Sequence, residues 1–213
     1  MNTILNYITK NYKQDEPIFL FDIEIEGMSG DNIRQQIKHL VDKGILKRFD
    51  KGIYYIPSKT IINTDSVLSK DRVIEYKYIK NDNNVFGYLS GLKFFNQIGL
   101  STQISMQYDI VSNMATTTYR ETNLKNQKVI IRKPKIKIDD NNYKELQFLD
   151  LIRDVDIYSE LQGDDLKNCL SNYLKKTNLT INKLEPFFKY YPDKLYKNLI
   201  ETKVIYNDIL AFQ

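Results

Sequence analysis

The sequence predicts an α+β fold, and three observations carry that expectation. Apolar residues recur at helical spacing near the start of the chain and again through its last third. Short β-prone or alternating runs lie between them. After Pro57-Ser58 a β-like run ends and the sequence turns polar (INTDSVLS), so two domains are expected, residues 1–60 and 61–213.

In the first segment Ile4, Leu5 and Ile8 place a helix over about residues 2–12. Pro17-Ile18-Phe19 breaks it, and a short helical element is expected around Leu20–Ile25. Ser29 or Asp31 offers an N-cap for the next helix, whose apolar face is Ile33, Ile37, Leu40, Val41 and Leu46, with Gly44 placed to end it. Ile45–Phe49 and Ile53–Ile56 are two β-prone runs joined by Asp50-Lys51-Gly52, a hairpin signal. Helix, short helix, helix and hairpin is the order of a winged helix-turn-helix.

The second segment mixes types and is expected as an α/β domain ending in helices. Gly87–Ile98 reads as a helix on Leu89, Leu92, Phe94 and Phe95. Tyr108–Ser112 and Lys128–Arg132 read as strands, and Lys135-Ile136-Lys137-Ile138 alternates with period two. Helical spacing then covers about 140–153, 163–176, 180–189 and 192–203. The doubled aromatics Tyr54-Tyr55, Phe94-Phe95, Phe187-Phe188 and Tyr190-Tyr191 read as core packing, one member of each inside, rather than as base-stacking platforms.

The net charge of +4 is modest, and its distribution says more. Residues 33–60 hold Arg34, Lys38, Lys43, Lys47, Arg48, Lys51 and Lys59 against Asp42 and Asp50. Residues 125–138 hold six cations and no acid, whereas 139–165 is acidic. Such a field holds a polyanion on one side. In a winged helix-turn-helix the third helix enters the major groove. At about 100° per residue, Asp31, Asn32, Gln35, Lys38, His39 and Asp42 fall opposite the apolar stripe, with Arg34 on the flank. Asn and Gln pair with adenine, and Arg and Lys with guanine or phosphate. The predicted duplex-DNA contacts are therefore Ser29, Asn32, Arg34, Gln35, Lys38 and His39 from the helix, and Lys47, Arg48 and Lys51 from the hairpin. Asp31 and Asp42 count against such a face, because each repels phosphate. A solvated amphipathic helix beside a cationic hairpin stays open as the plain alternative. Lys133, Lys135 and Lys137 share one face by strand alternation; they form a secondary basic patch, for DNA or for RNA, or else guard an edge strand.

Other chemistry is poorly represented. A single cysteine, Cys169, permits no internal disulfide, fits a reducing cytoplasm and reads as a packing residue. No apolar run reaches the roughly 18 residues of a membrane span, and the start of the chain does not read as a signal peptide. There is no P-loop, no metal-ligand spacing and no dinucleotide fingerprint. Gly87-Tyr88-Leu89-Ser90-Gly91 puts its serine one place late for a hydrolase elbow, and the only histidine is His39. The chain has no Gly-Ser dipeptide, and Asp154-Val155-Asp156 lies far past Ser90-Gly91 and reads as solvated charge, not as a magnesium pair. Asp139-Asp140 and Asp164-Asp165 read as helix-start acids. No enzyme, cofactor or metal is expected.

Several stretches then acquire a common resemblance. RQQIKHLVDKGILKRFDKGIYYIPS (34–58) resembles the recognition helix and wing of AbiEi-like antitoxins from abortive-infection toxin–antitoxin systems of type IV. VFGYLSGLKFFNQIGLSTQIS (85–105) is similar to that family's Gly-Tyr, Ser-Gly and Gly-Leu-Thr-Thr-Gln pattern, with Ser101 where a threonine is usual. IVSN (110–113), VIIRKP (129–134), LQFLDLI (146–152) and YYPDKLYKNLI (190–200) follow in the same order. The resemblance implies a cytoplasmic phage-defence antitoxin that binds inverted repeats in its own promoter and represses its operon. It also implies opposition to a nucleotidyltransferase toxin without a stable complex. Two copies on an inverted repeat are compatible with a monomer in solution. The alternatives are a winged-helix protein-interaction adaptor and a transcription factor outside any toxin operon.

Overall fold

The computed structural model describes residues 3–82 and 84–204, which form a mixed α+β protein in two compact units, Met1–Tyr76 and Lys77–Gln213. The first unit extends past the boundary expected at residue 60.

In the first unit, the spacing of Ile4 and Ile8 becomes α1 (Thr3–Asn11), with both side chains fully buried. The apolar stripe of Ile33, Ile37 and Leu40 becomes α2 (Gly30–Asp42), and these residues pack with Ile4, Ile8, Ile18 and Leu46 into one core. Each such side chain contributes about 1.5–3 kcal/mol by leaving water. The short helix expected around Leu20–Ile25 is a single 3-10 turn (Leu20–Asp22), and the break before it is strand β1 (Ile18–Phe19). Ile18 and Phe19 are both buried and pair with the hairpin, which helical spacing cannot achieve. The hairpin is β2 (Lys47–Asp50) and β3 (Ile53–Tyr55), turning at Lys51-Gly52, where Gly52 has φ +72°. The small antiparallel sheet runs β1-β3-β2.

This sheet has two covered faces. Tyr54 packs on the helical core, whereas Tyr55 donates to the Ser66 carbonyl at 3.0 Å. Residues 58–66 are tied down through Asp15. Its carboxylate accepts from Ser58 N (3.3 Å), Ser58 Oγ (2.5 Å) and Ser66 Oγ, while Arg72 Nε donates to its carbonyl at 3.0 Å. Burial opposes the charge on Asp15, but the serine hydrogen bonds prevail and hold its carboxyl below the ordinary value. The polar stretch that reads as a domain boundary is therefore part of the first unit. Helix α3 (Lys70–Tyr78) follows.

In the second unit a four-stranded sheet runs β4-β5-β7-β6: β4 (Gly87–Ser90), β5 (Gln107–Ser112), β6 (Tyr119–Leu124) and β7 (Gln127–Arg132). β5 and β7 are parallel and the other pairs antiparallel. The helix expected over Gly87–Ile98 is instead strand β4 followed by α4 (Gly91–Gln97). All four residues of β4 are buried, and Gly87 is pressed against main-chain atoms of Tyr78 and Val111. β6 has no apolar signature because most of its residues are exposed at the sheet edge. Phe94 and Phe95 are both buried, so one-in, one-out fails for that pair, whereas Tyr54 and Tyr55 follow it.

Helices α5 (Tyr143–Arg153), α6 (Val155–Tyr158), α7 (Gly163–Thr177), α8 (Ile181–Phe188) and α9 (Lys194–Glu201) complete the described chain. Asp164 and Asp165 stand in the first turn of α7, and Asp139 accepts from Asn141 N just before α5. Cys169 is half-buried, with Sγ 3.2 Å from the Ile98 carbonyl. No helix among the described residues is long and apolar enough to cross a membrane.

Candidate nucleic-acid interface

Helix α2 begins because Ser29 is extended (φ −70°, ψ 152°) and its Oγ accepts from Asn32 N at 3.3 Å. It ends at Gly44, whose φ of +71° suits glycine. With Ile33, Ile37 and Leu40 turned inward, Asp31, Asn32, Arg34, Gln35, Lys38, His39 and Asp42 are all exposed. The predicted helix residues therefore share one solvent-facing surface.

Local pairing modifies that surface. Arg34 Nη1 lies 2.6 Å from Asp31 Oδ1 with both side chains exposed, so the two charges largely cancel locally. Asn32 Oδ1 accepts from Gln36 at 3.0 Å, which orients its amide with the NH2 group outward. Ser29 Oγ already serves as the helix cap.

The hairpin cations separate. Cross-strand partners share a face of a sheet, and successive residues alternate. Arg48 is opposite Tyr54 and so lies on the α2 side, exposed, with Nε 3.3 Å from the Asp50 carbonyl. Lys47 is opposite the buried Tyr55 and turns to the other side, where Nζ is 3.0 Å from Asp65. Lys59 meets the same carboxylate at 2.7 Å. Hydrogen bonds from Lys59 and Lys47 hold the Asp65 carboxyl below its ordinary value. Lys51 is exposed in the turn, whose backbone is fixed by Asp50 Oδ1 accepting from Lys51 N at 2.7 Å. Arg48 thus remains on the helix side of the sheet, Lys51 is exposed at the turn, and Lys47 is withdrawn. Sequence reasoning missed Asp15 and Asp65, and no local pattern signals Asp15, which lies 43 residues before the Ser58 it holds.

In the second unit Lys133, Lys135 and Lys137 are exposed, but they are not on a strand. β7 ends at Arg132, and Pro134, which has no N–H, cannot extend the ladder. The segment is fastened instead by Asn113, whose amide donates to the Ile138 carbonyl (2.7 Å) and accepts from Ile138 N (3.0 Å). The alternation of Lys135–Ile138 reflects this side-chain clamp, and the edge-strand alternative for the lysines falls away.

Asp154 and Asp156 are paired rather than merely solvated. Asp154 is held by Arg153 at 2.6 and 2.9 Å, and Asp156 by Lys194 at 2.9 Å. No cluster of three potential metal-binding Asp, Glu, His or Cys side chains occurs among the described residues.

Over residues 4–157 the chain matches a family of unknown function, DUF6088, and it belongs to that family. No curated protein matches it.

Proposed function

We propose that this DUF6088 member is an antitoxin and transcriptional autorepressor whose first unit is a winged helix-turn-helix that docks on duplex DNA. In this reading α2 is the recognition helix and β2–β3 the wing, with the 3-10 turn replacing a full second helix. One observation carries it: the polar side of α2, the exposed Arg48 on the helix side of the β1-β3-β2 sheet and the exposed turn residue Lys51 belong to the same small unit. Gln35 and Asn32 would read base edges, Lys38 and His39 bases or phosphate, and Arg48 and Lys51 the backbone. The resemblance to AbiEi-like antitoxins supplies the rest: repression at inverted repeats, opposition to a nucleotidyltransferase toxin without a stable complex, and a non-enzymatic cytoplasmic role. No residue of the second unit is assigned to neutralisation.

The test is binding to a duplex taken from the promoter region upstream of the gene. Arg48→Ala with Lys51→Ala should weaken binding to every duplex and lower the slope of log K against log salt by about 2, roughly one for each lost phosphate contact. Gln35→Ala should chiefly relax sequence preference. Binding by the double variant as tight as wild type at about 150 mM salt would overturn the assignment.

A protein-interaction adaptor is the second reading, favoured by the exposed Ile61 and Ile62 within the 58–66 strap and Val67 next to it. Co-purification with the product of the neighbouring gene in the absence of DNA would support it. The identity of that neighbour also separates an antitoxin from a transcription factor outside any toxin operon.

A further inference from the structure

The second unit holds a pocket of about 100 Å³ whose mouth is cationic and whose wall is aromatic. Arg132, Lys133 and Lys135 come from the end of β7 and the segment after it, Arg153 from the end of α5, and Tyr190 and Tyr191 from the turn after α8. These three segments are far apart in sequence, and no local periodicity brings them together.

The floor is internally satisfied. Asp150, fully buried, accepts from Tyr88 Oη at 2.9 Å and from Arg153 Nη1 at 2.6 Å, and the remaining Arg153 contacts go to Asp154. Tyr191 Oη donates to the Leu146 carbonyl at 3.1 Å. The mouth differs. Arg132 gives one Nη2 contact to Asp109 at 2.9 Å, out of the five N–H donors of a guanidinium. Lys133 is exposed, and Lys135 uses one of its three donors on the Tyr190 carbonyl at 2.8 Å. The positive charge is thus concentrated at the rim, over a preformed and largely apolar wall.

We propose that this pocket binds a phosphate monoester, the chemistry shared by a free mononucleotide and the phosphorylated end of an RNA. A carboxylate brings one charge and two oxygens. A phosphate monoester brings about 1.5–2 negative charges at neutral pH and three acceptor oxygens, which matches donors arriving from Arg132, Lys133 and Lys135. The volume suits a phosphate group and the first atoms attached to it, with the body of the ligand against Tyr190 at the mouth. Asp150 repels an anion, but Arg153 and Tyr88 occupy its oxygens and set it at the floor.

The experiment is titration of the full chain with adenosine 5′-monophosphate, inorganic phosphate, adenosine, and a short RNA with and without a 5′-phosphate. It is followed by calorimetry and by the backbone amide resonances of residues 132–136 and 190–191. Saturable binding of the phosphorylated probes, absent for adenosine, is expected. Lys133→Glu, at an exposed site, should weaken it about tenfold, as loss of a charge-assisted contact does. Lys135→Met is the second variant and should do the same. Tighter binding of the 5′-phosphorylated RNA than of the mononucleotide would identify an RNA end as the source; equal or weaker binding would identify the free nucleotide. Adenosine binding as well as its monophosphate, affinities within twofold of wild type in both lysine variants, or no saturable response to any phosphate would each overturn the proposal.

Discussion

Gly87 is where helical and strand readings of the same residues differ in the sign of a measurable effect. If Gly87 opened a helix, Gly87→Ala would stabilise the protein by about 0.8–1 kcal/mol, the difference in helix propensity. In β4 the new Cβ would stand 2.2 Å from the Tyr78 carbonyl oxygen, 2.8 Å from that of Val111 and 3.1 Å from Ser112 Cβ. The two shortest contacts are to main chain in paired elements, which cannot swing aside as a flexible side chain would. Ordinary C···O contacts are no closer than about 3.3 Å, so β4 must shift by about 1 Å, and overpacking of this kind costs on the order of 3 kcal/mol. At a typical urea dependence of about 2 kcal/mol per molar, the midpoint of the second unit falls by about 1.5 M. Gly30→Ala is the internal control. At the start of α2 its Cβ would meet only Arg34 Nη1, at an ordinary 3.8 Å, so it should be neutral or stabilise by up to about 1 kcal/mol. Native-state hydrogen exchange in graded urea reads the β4 and α2 amides separately. A Gly87→Ala protein within about 0.5 kcal/mol of wild type, or more stable, would refute the strand packing, since ordinary surface substitutions span that range.

Asp65→Asn should release Lys47 and Lys59 from their shared carboxylate, raise non-specific duplex affinity and steepen the salt slope by about 1–2, measured by fluorescence anisotropy over a salt series. An unchanged slope would show that neither lysine reaches phosphate. Asp15 and Asp65 both have folded-state carboxyls below their ordinary value of 3.8. Their stabilisation is therefore present above that pH and is lost as the pH falls through and below it. An acid titration followed by circular dichroism and tyrosine fluorescence should show the first unit loosening in that range. Asp15→Asn should flatten the dependence; an identical acid transition in the variant would remove Asp15 from the account.

The helices were legible wherever a one-sided apolar stripe exists, as in α1, α2 and α7, because a helix that buries one face must repeat at about 3.6 residues. Reading failed where tertiary contacts override local pattern. β4 carries leucine and aromatic residues at spacings that also suit a helix, and its antiparallel pairing with β5, at a place too close for a Cβ on Gly87, makes it a strand. β6 is an exposed edge with almost no buried side chain. Lys135–Ile138 alternates like a strand while its hydrogen bonds come from Asn113. At the candidate interface the composition located the cations and strand alternation separates the adjacent Lys47 and Arg48, but which of the two turns toward α2, and that Asp65 holds Lys47, comes only from the fold.

The strap over residues 58–66 joins the stability of the first unit to its charge. Phe19, Ile53 and Tyr55 are buried, and Tyr55 reaches the strap through Ser66. A fragment ending at residue 60 would lack Ser66, together with Leu68, Val73 and Ile74, which are buried within the same unit. It would also lack Asp65, freeing Lys47 and Lys59 together, so that a less stable fragment would carry a stronger positive field than the intact unit. Affinity for a polyanion measured on such a fragment would therefore overstate what the intact surface offers. With Arg34 beside Asp31 and Lys47 beside Asp65, the exposed cations left outside those pairs among the proposed contact residues are Lys38, Arg48 and Lys51. On the proposed DNA-binding reading, so few cations would leave discrimination among duplexes to Gln35, Asn32 and His39 on the exposed side of α2.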